Sequence, residues 1–173
     1  MGLRPKGVRV PSAALFCILV ASAASSPALA QDVRLTGLAG QAVSLSPSDI
    51  SGMPHVSLSV KTEGQTHSYQ GVRLSALLQR VGAPQGALLR GKDMRDIVIV
   101  SGRDGYAAAF ALAETDPGFR DDQIILADRV DGSPLADIAG PYRLIVEGDL
   151  RAARSVRMVA SIEVRQLNSV NEH

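Results

Sequence analysis

Four arginines near the end of the chain are the residues whose spacing could support binding chemistry. Arg151 and Arg154 lie between two apolar runs, with Arg143 before them and Arg157 after them. Guanidinium groups beside a turn with free backbone N–H groups can hold an anion or a carbonyl-rich heterocycle. The alternative is a solvated turn in which the arginines pair with nearby acids such as Asp149, because charge clusters at turns are usually exposed.

Carboxylates at the ends of apolar runs form a second candidate group. Asp104 follows the run Ile97–Val100, Glu114 follows a shorter apolar turn, and Asp128 ends another apolar run. A carboxylate in such a place can accept paired N–H groups from a guanidine-like ring edge, as in a pterin or guanine. The alternative is that each acid caps its own turn.

Nucleophilic and metal chemistry find little support in the residue pattern. The sequence has no G-x-S-x-G motif, and its one cysteine is Cys17. His55 and His67 flank a predicted hairpin, but a zinc or copper site needs three or four ligands, and none of the usual spacings is present. The stretch Ser101–Gly105 matches neither a dinucleotide-binding loop nor a P-loop. We therefore expect no metal ligated by the protein.

The first thirty residues have the pattern of a secretory signal peptide. Residues 4–9 carry three positive charges, residues 12–24 form an apolar run of small residues, and Ala28-Leu29-Ala30 matches a cleavage signal. The apolar run is too short to span a bilayer. We expect cleavage before Gln31 and a periplasmic protein that is not itself embedded in the membrane.

Cleavage of this segment would change the net charge and the cysteine content of the chain, and both bear on which partners it can bind. The full chain of 173 residues has 18 basic and 17 acidic residues. Cleavage removes Cys17 and three basic residues, which leaves residues 31–173 as one domain with a formal charge of about −2. A mildly acidic domain without a basic block is a poor candidate for nucleic acid binding.

The elements that must position these residues are short. Apolar alternation predicts strands, and spacings of three and four predict helices. Strands separated by short helices favour an α+β fold. The predicted strands are Val33–Leu35, Ala42–Leu45, the hairpin His55–Lys61 with Thr66–Tyr69, Ile97–Val100 buried on both faces, Ile124–Ala127, Leu144–Val146 and Val156–Val164; the predicted helical segments are Pro47–Ser51, a helix opening at Gly71 and ending at Gly82, and a turn at Phe110–Glu114.

Four phrases along the chain carry a family resemblance. They are YQGVRLSALLQRVGAP (Tyr69–Pro84), IVIVSGRDGYAAAFALAE (Ile97–Glu114), ILADRVDGSPL (Ile125–Leu135) and GPYRLIVEGDLRAARSVRMVASIEV (Gly140–Val164). In this order they resemble the oxidoreductase molybdopterin-binding domain of the sulfite oxidase family. The resemblance implies a sulfite oxidase-type molybdopterin-binding fold of mixed sheets with short helices, which cradles a pterin.

Two departures from the family bear on function. Enzymes of the family bind molybdenum through a cysteine on the strand before the Y-x-G-v-x-L phrase, where this chain offers Ser57, Ser59 and Lys61. A hydroxyl or ammonium group cannot replace a thiolate as a soft ligand. Glu147 stands where the family has a proline after the R-L-x-V strand. The chain resembles periplasmic pterin-binding proteins, some of which regulate membrane sensor proteins that control cyclic-di-GMP.

The resemblance and the residue pattern together define an expected site and function. We expect a non-catalytic protein that binds a pterin, in reduced form or as molybdopterin, and regulates a membrane-bound signalling partner. The acids would hold the aminopyrimidine edge, and the arginines would meet a carbonyl or phosphate. The alternative is a molybdenum-cofactor-binding oxidoreductase or accessory subunit without a protein thiolate. The expected cofactor-binding residues are Arg103, Asp104, Gly105, Tyr106, Arg143, Asp149, Arg151 and Arg154, with Arg73 and Glu114 of second rank.

Overall fold

The computed structural model describes residues 1–2, 31–62 and 64–167. The predicted signal sequence, apart from its first two residues, lies outside the described residues, and so does Cys17. The described elements are β1 (Val33–Thr36), β2 (Ala42–Leu45), α1 (Pro47–Ser51), β3 (His55–Thr62), β4 (Gln65–Arg73), α2 (Leu74–Gln79), β5 (Asp96–Gly102), β6 (Ala107–Ala111), β7 (Ile124–Val130), β8 (Ser133–Pro134), β9 (Arg143–Val146) and β10 (Val159–Gln166), with 3₁₀ turns at Gly86–Leu88, Gly91–Arg95, Leu112–Thr115 and Ala152–Arg154.

The ten strands form two separate five-stranded sheets, called here sheet A and sheet B. Sheet A has the order β2-β1-β10-β5-β6, and only its β1–β10 pair is parallel. Sheet B has the order β3-β4-β7-β8, and β9 pairs with β7 along the same edge as β8. This is the mixed-sheet α+β architecture with short helices that the sequence predicts.

The main core takes one face of each sheet. Val98 and Ile162 of sheet A and Leu126 and Leu144 of sheet B belong to one buried apolar cluster. The opposite face of sheet B carries a smaller cluster, formed by Leu58, Tyr69, Ile125, Ala127 and Ile145. Because neighbouring residues of a strand point to opposite faces, the continuous apolar runs of β7 and β9 serve both clusters. The outer face of sheet B is therefore also apolar.

Two element predictions are wrong in their boundaries. Gly71 does not open a helix, because residues 71–73 continue β4 and pair with β7, and α2 begins at Leu74. Phe110 lies in β6 rather than in a helical turn, which follows at Leu112–Thr115. The alanines of β6 have low intrinsic strand preference, and pairing with β5 overrides it.

Two predictions of burial also need correction. The run Ile97–Val100 is not buried on both faces: Val98 and Val100 are buried, whereas Ile97 and Ile99 are half-buried. The strand predicted from Val156 begins at Val159, and the pairing of β10 with β5 shifts between Val159 and Ser161. This bulge places Val159 in the core instead of Ala160.

Candidate functional site

A groove lies on the outer face of sheet B. Its floor is formed by Val60 of β3, Tyr69 of β4 and Ile145 of β9, and its wall is the segment Asp149–Ser155, called here the wall segment. The volume of the groove is about 280 Å³. An adjoining depression of about 470 Å³ shares Val60 and Lys61 with it. The outward-facing residues of these three strands thus form an apolar floor beside a polar loop.

Three cations line this groove, and Arg143 is the most buried of them. Arg143 donates a hydrogen bond from Nη1 to the Tyr69 hydroxyl at 3.5 Å, and its guanidinium lies 5.8 Å from the centre of the Tyr69 ring. Burial lowers the pKa of Arg143, although an arginine stays charged at neutral pH. Its Nε is buried without a hydrogen-bond partner among the described residues. Lys61 and Arg151 add exposed positive charge at the rim.

Arg154 holds the wall segment in place. Its Nε and Nη2 donate to the two carboxylate oxygens of Asp149 at 3.0 and 2.7 Å, and its Nη1 donates to Glu114 at 2.9 Å. The guanidinium carbon lies 5.1 Å from the centre of the Phe110 ring. The hydrogen bond to Asp149, followed by the charge of Glu114, raises the pKa of Arg154. All three nitrogens of Arg154 are therefore engaged within the protein, as the ion-pairing alternative describes.

The turn Arg103–Tyr106 lies on the other side of the wall segment. Gly105 takes a positive φ of 82°, and the Asp104 carboxylate accepts the backbone N–H of Tyr106 at 3.0 Å. Arg103 donates to the carbonyl of Gly140 at 3.3 Å. The Tyr106 hydroxyl donates to the carbonyl of Ala153 at 2.6 Å, while half of the residue stays exposed. The turn therefore touches the wall segment without lining the groove.

The ten predicted site residues thus fall in separate places. Arg143, Asp149 and Arg151 line the groove, while Arg154 and Glu114 brace its wall. Arg73 lines a different, small cavity of about 110 Å³ beside Arg120. The remaining four residues form the turn behind the wall segment.

Eight of the eleven residues that line the groove were not among the predicted site residues, and three of the eight come from the hairpin of β3 and β4. Val60 and Tyr69 contribute to the floor, and Lys61 lies at the rim. The two-residue alternation of the predicted hairpin could have identified the floor residues, because Val60, Tyr69 and the buried Leu58 share one face of β3 and β4. The hairpin sequence alone does not show which of its two faces carries the groove, because β9 supplies the other residues of the lining.

The donor set of the groove suits an organic ligand better than a metal ion. No group of three or more His, Cys, Asp or Glu side chains placed for a metal occurs in residues 31–62 and 64–167. On β3, the strand on which the family resemblance places a thiolate, the residue that forms part of the floor is Val60. The apolar floor and the three cations fit a flat heterocycle with an anionic or carbonyl group. Within the described part of the chain, no helix is long and apolar enough to cross a membrane.

Comparisons with known proteins confirm the sulfite oxidase-type molybdopterin-binding fold that the sequence resemblance implies. The structure is similar to the sulfane dehydrogenase SoxCD from Paracoccus pantotrophus, with a TM-score of 0.60 and 18% sequence identity over 78% of this chain. The match covers 38% of the SoxCD chain, so the likeness concerns one part of a longer protein. No curated protein matches the sequence. The family model of the oxidoreductase molybdopterin binding domain matches residues 26–172, and the chain therefore belongs to that family.

Proposed function

We propose that this protein is a periplasmic, non-catalytic pterin-binding protein that regulates a membrane-bound signalling partner. The observation that carries the proposal is the groove itself. It combines an apolar floor and three cations with no thiolate among the described residues. Such a site can hold the organic part of a molybdenum cofactor without contributing a ligand to the metal.

The chemistry of the groove matches that of a pterin in three respects. Tyr69, Val60 and Ile145 offer an apolar surface to the face of the ring. Arg143 lines the groove, and the Nη groups of its guanidinium can donate to a ring carbonyl. Asp149 lines the groove, and its carboxylate retains acceptor capacity for the aminopyrimidine edge even while Arg154 binds it.

The regulatory part of the proposal rests on the family resemblance and the signal sequence. A ligand-loaded periplasmic protein would act through the periplasmic domain of a membrane sensor, with control of cyclic-di-GMP as the output. Loss of the protein and loss of its ligand should then change cellular cyclic-di-GMP in the same direction. A deletion strain complemented with a pterin-free variant tests this relation.

Analysis of bound small molecules is the first test of the site. Protein purified from the native periplasm is denatured, and the released molecules are identified by fluorescence and mass spectrometry, with metal analysis alongside. We expect about one pterin per chain and no stoichiometric molybdenum. Protein that carries neither molecule, even after reconstitution with pterins, would contradict the proposal.

Substitution of the groove cations locates the ligand. Arg143→Gln and Arg151→Gln should each lower pterin occupancy, because each removes a cation from the groove lining. Arg165→Gln is a matched control, since Arg165 is exposed on sheet A and pairs with Glu163. Equal occupancy in all three variants would place the ligand elsewhere.

The second candidate is a molybdenum-cofactor-binding oxidoreductase or an accessory subunit of one. Family membership and the likeness to part of the longer SoxCD chain favour it. Stoichiometric molybdenum with a pyranopterin in the native protein would support this candidate over the first.

A further inference from the structure

Strand β3 forms an unpaired edge of sheet B. Its eight residues pair with β4 on one side, and no backbone hydrogen bond reaches its other side among the residues that the structure describes. The edge strands of sheet A are shorter, with four residues in β2 and five in β6. The outward N–H and C=O groups of an edge strand can pair with one further strand.

This edge lacks the features by which proteins usually prevent further strand pairing. Such features are prolines, charged side chains and β-bulges. β3 contains no proline, and Lys61, near its end, is its only Lys, Arg, Asp or Glu residue. Its register with β4 is continuous over all eight residue pairs, so no bulge bends the strand away. The edge is therefore open to another extended segment.

The sequence of β3 indicates which segment fits this edge. Residues 56–60 read VSLSV, which is the same in both directions. Two antiparallel copies of the strand, related by a two-fold axis beside Leu58, place like residues opposite each other. Val56 of one copy then lies opposite the partner's Val60, and the two kinds of serine face each other in the same way. A register shifted by one residue would instead place valines opposite serines.

The two faces of β3 are also suited to this pairing. Leu58 is buried in the outer cluster of sheet B, and Val56 and Val60 pack against that cluster but are only partly buried. Ser57 and Ser59 lie on the opposite face of the strand and are exposed. A second β3 thus continues the apolar face with valine against valine, and hydroxyl groups meet on the other face.

The size and charge of the contact indicate its strength. A strand of eight residues is about 27 Å long, and one strand pair buries less area than a typical permanent dimer. In the palindromic register Lys61 lies opposite the partner's His55, so the two lysines do not face each other. These features favour a weak dimer with a dissociation constant of about 10 µM.

We propose that two copies of this chain associate through antiparallel pairing of their β3 strands, which joins their B sheets into one continuous sheet of ten strands. The interface is isologous, with Leu58 beside the two-fold axis. Val60 and Lys61 also line the groove, and Ser59 lines the adjoining depression. Residues of the partner's β3 therefore border the candidate site of each copy.

Sedimentation velocity of the protein purified from the periplasm tests the pairing. We expect a monomer on dilution and a dimer at about 100 µM, as a single strand pair implies. Ser57→Lys with Ser59→Lys places like charges opposite each other at two symmetric positions. This variant should raise the dissociation constant about tenfold or more.

Ser57→Asp with Ser59→Lys is the matched control. It changes the same two exposed residues, but it places opposite charges across the two-fold axis, so the dimer should be kept. At low concentration both double variants should unfold at the temperature of the unmodified protein, because the substituted side chains are exposed.

The outcomes separate strand pairing from other modes of association. An unmodified protein that stays monomeric at every concentration would overturn the proposal. Equal dissociation constants in the two double variants would also overturn it, because an interface elsewhere on the molecule does not bring these two positions together.

Discussion

Arg143 and Arg154 show how one residue type takes two roles at the same groove. Arg154 has its three guanidinium nitrogens engaged by Asp149 and Glu114, so little of its hydrogen-bonding capacity remains for a ligand. Arg143 has one weak hydrogen bond and a buried Nε without a partner among the described residues. Arg143 is thus the stronger candidate for ligand contact, and Arg154 acts by holding the wall segment.

Arg154→Lys should therefore destabilise the protein by about 1–2 kcal/mol, because an ammonium group cannot replace a two-pronged, partly buried guanidinium. Urea unfolding measures the free energy, and hydrogen exchange should show faster opening of the wall segment. Arg165→Lys is the control, since its pair with Glu163 is exposed and screened by solvent and should contribute little to stability. Equal effects of the two changes would argue against a bracing role.

Asp96 gives the protein a built-in pH dependence. Its carboxylate is buried at the start of β5, neither oxygen has a hydrogen-bond partner among the described residues, and burial raises its pKa above 3.8. Between 3.8 and the raised pKa the folded state binds more protons than the unfolded state, so this group lowers stability as pH rises.

Asp96→Asn should accordingly raise the free energy of unfolding at pH 7 by about 1 kcal/mol, because a buried amide is less costly than a buried charge. The stability difference from the unmodified protein should shrink as the pH falls through the raised pKa, because the unmodified carboxyl then becomes protonated. Urea unfolding across this pH range measures it, with exposed Asp121→Asn as the control. A difference that does not vary with pH would exclude titration of Asp96 as the cause.

At the scale of elements, the contact between β4 and β7 depends on a glycine. A Cβ added to Gly71 would lie 2.1 Å from the carbonyl oxygen of Leu126 and 2.5 Å from the Cα of Ala127. Both are backbone atoms of the central strand β7, and neither can move without breaking the pairing of β7 with β4. The Y-x-G phrase that marks the family thus has a packing reason at this position.

Gly71→Ala should destabilise the domain by about 3 kcal/mol or more, because overpacking against backbone cannot relax by a change of rotamer. Gly52→Ala is the matched control, since Gly52 has helical dihedrals and its nearest contact would be 3.3 Å. Thermal unfolding of both variants measures the difference. Similar melting temperatures would show that β4 and β7 can separate without loss of stability.

Local patterns predicted most elements, and non-local contacts explain the rest. The hairpin of β3 and β4 and the short helix α1 follow from alternation and a capping motif within a few residues. The sequence of β6 (AAAFA) has no such local pattern, because this strand is stabilised by its pairing with β5. The site was predicted less well for the same reason: Asp149 lies five residues before its partner Arg154, but Glu114 is forty residues away.

At the scale of the molecule, the groove lies on the face of sheet B that the main core does not use. The five strands of sheet A and one face of sheet B form that core, so changes at the groove floor leave most of the packing untouched. This separation suits a domain that gains or loses a ligand without unfolding.

The predicted signal peptide can be tested by expressing the full-length chain. Intact mass and N-terminal sequencing of protein recovered from the periplasm should show that the mature chain begins at Gln31. Ala28→Arg and Ala30→Arg should block cleavage, because the processing site accepts small residues there. An uncleaved chain in the periplasm would show that residues 1–30 remain part of the protein.

Leu150 stands at the rim of the groove with its side chain wholly in water, at a relative exposure of 102%. Water around such a side chain contributes to the heat capacity of the free domain, and release of that water on association lowers it. Any complex that covers the rim will therefore form with a negative change in heat capacity. Its enthalpy of formation will become more favourable on warming.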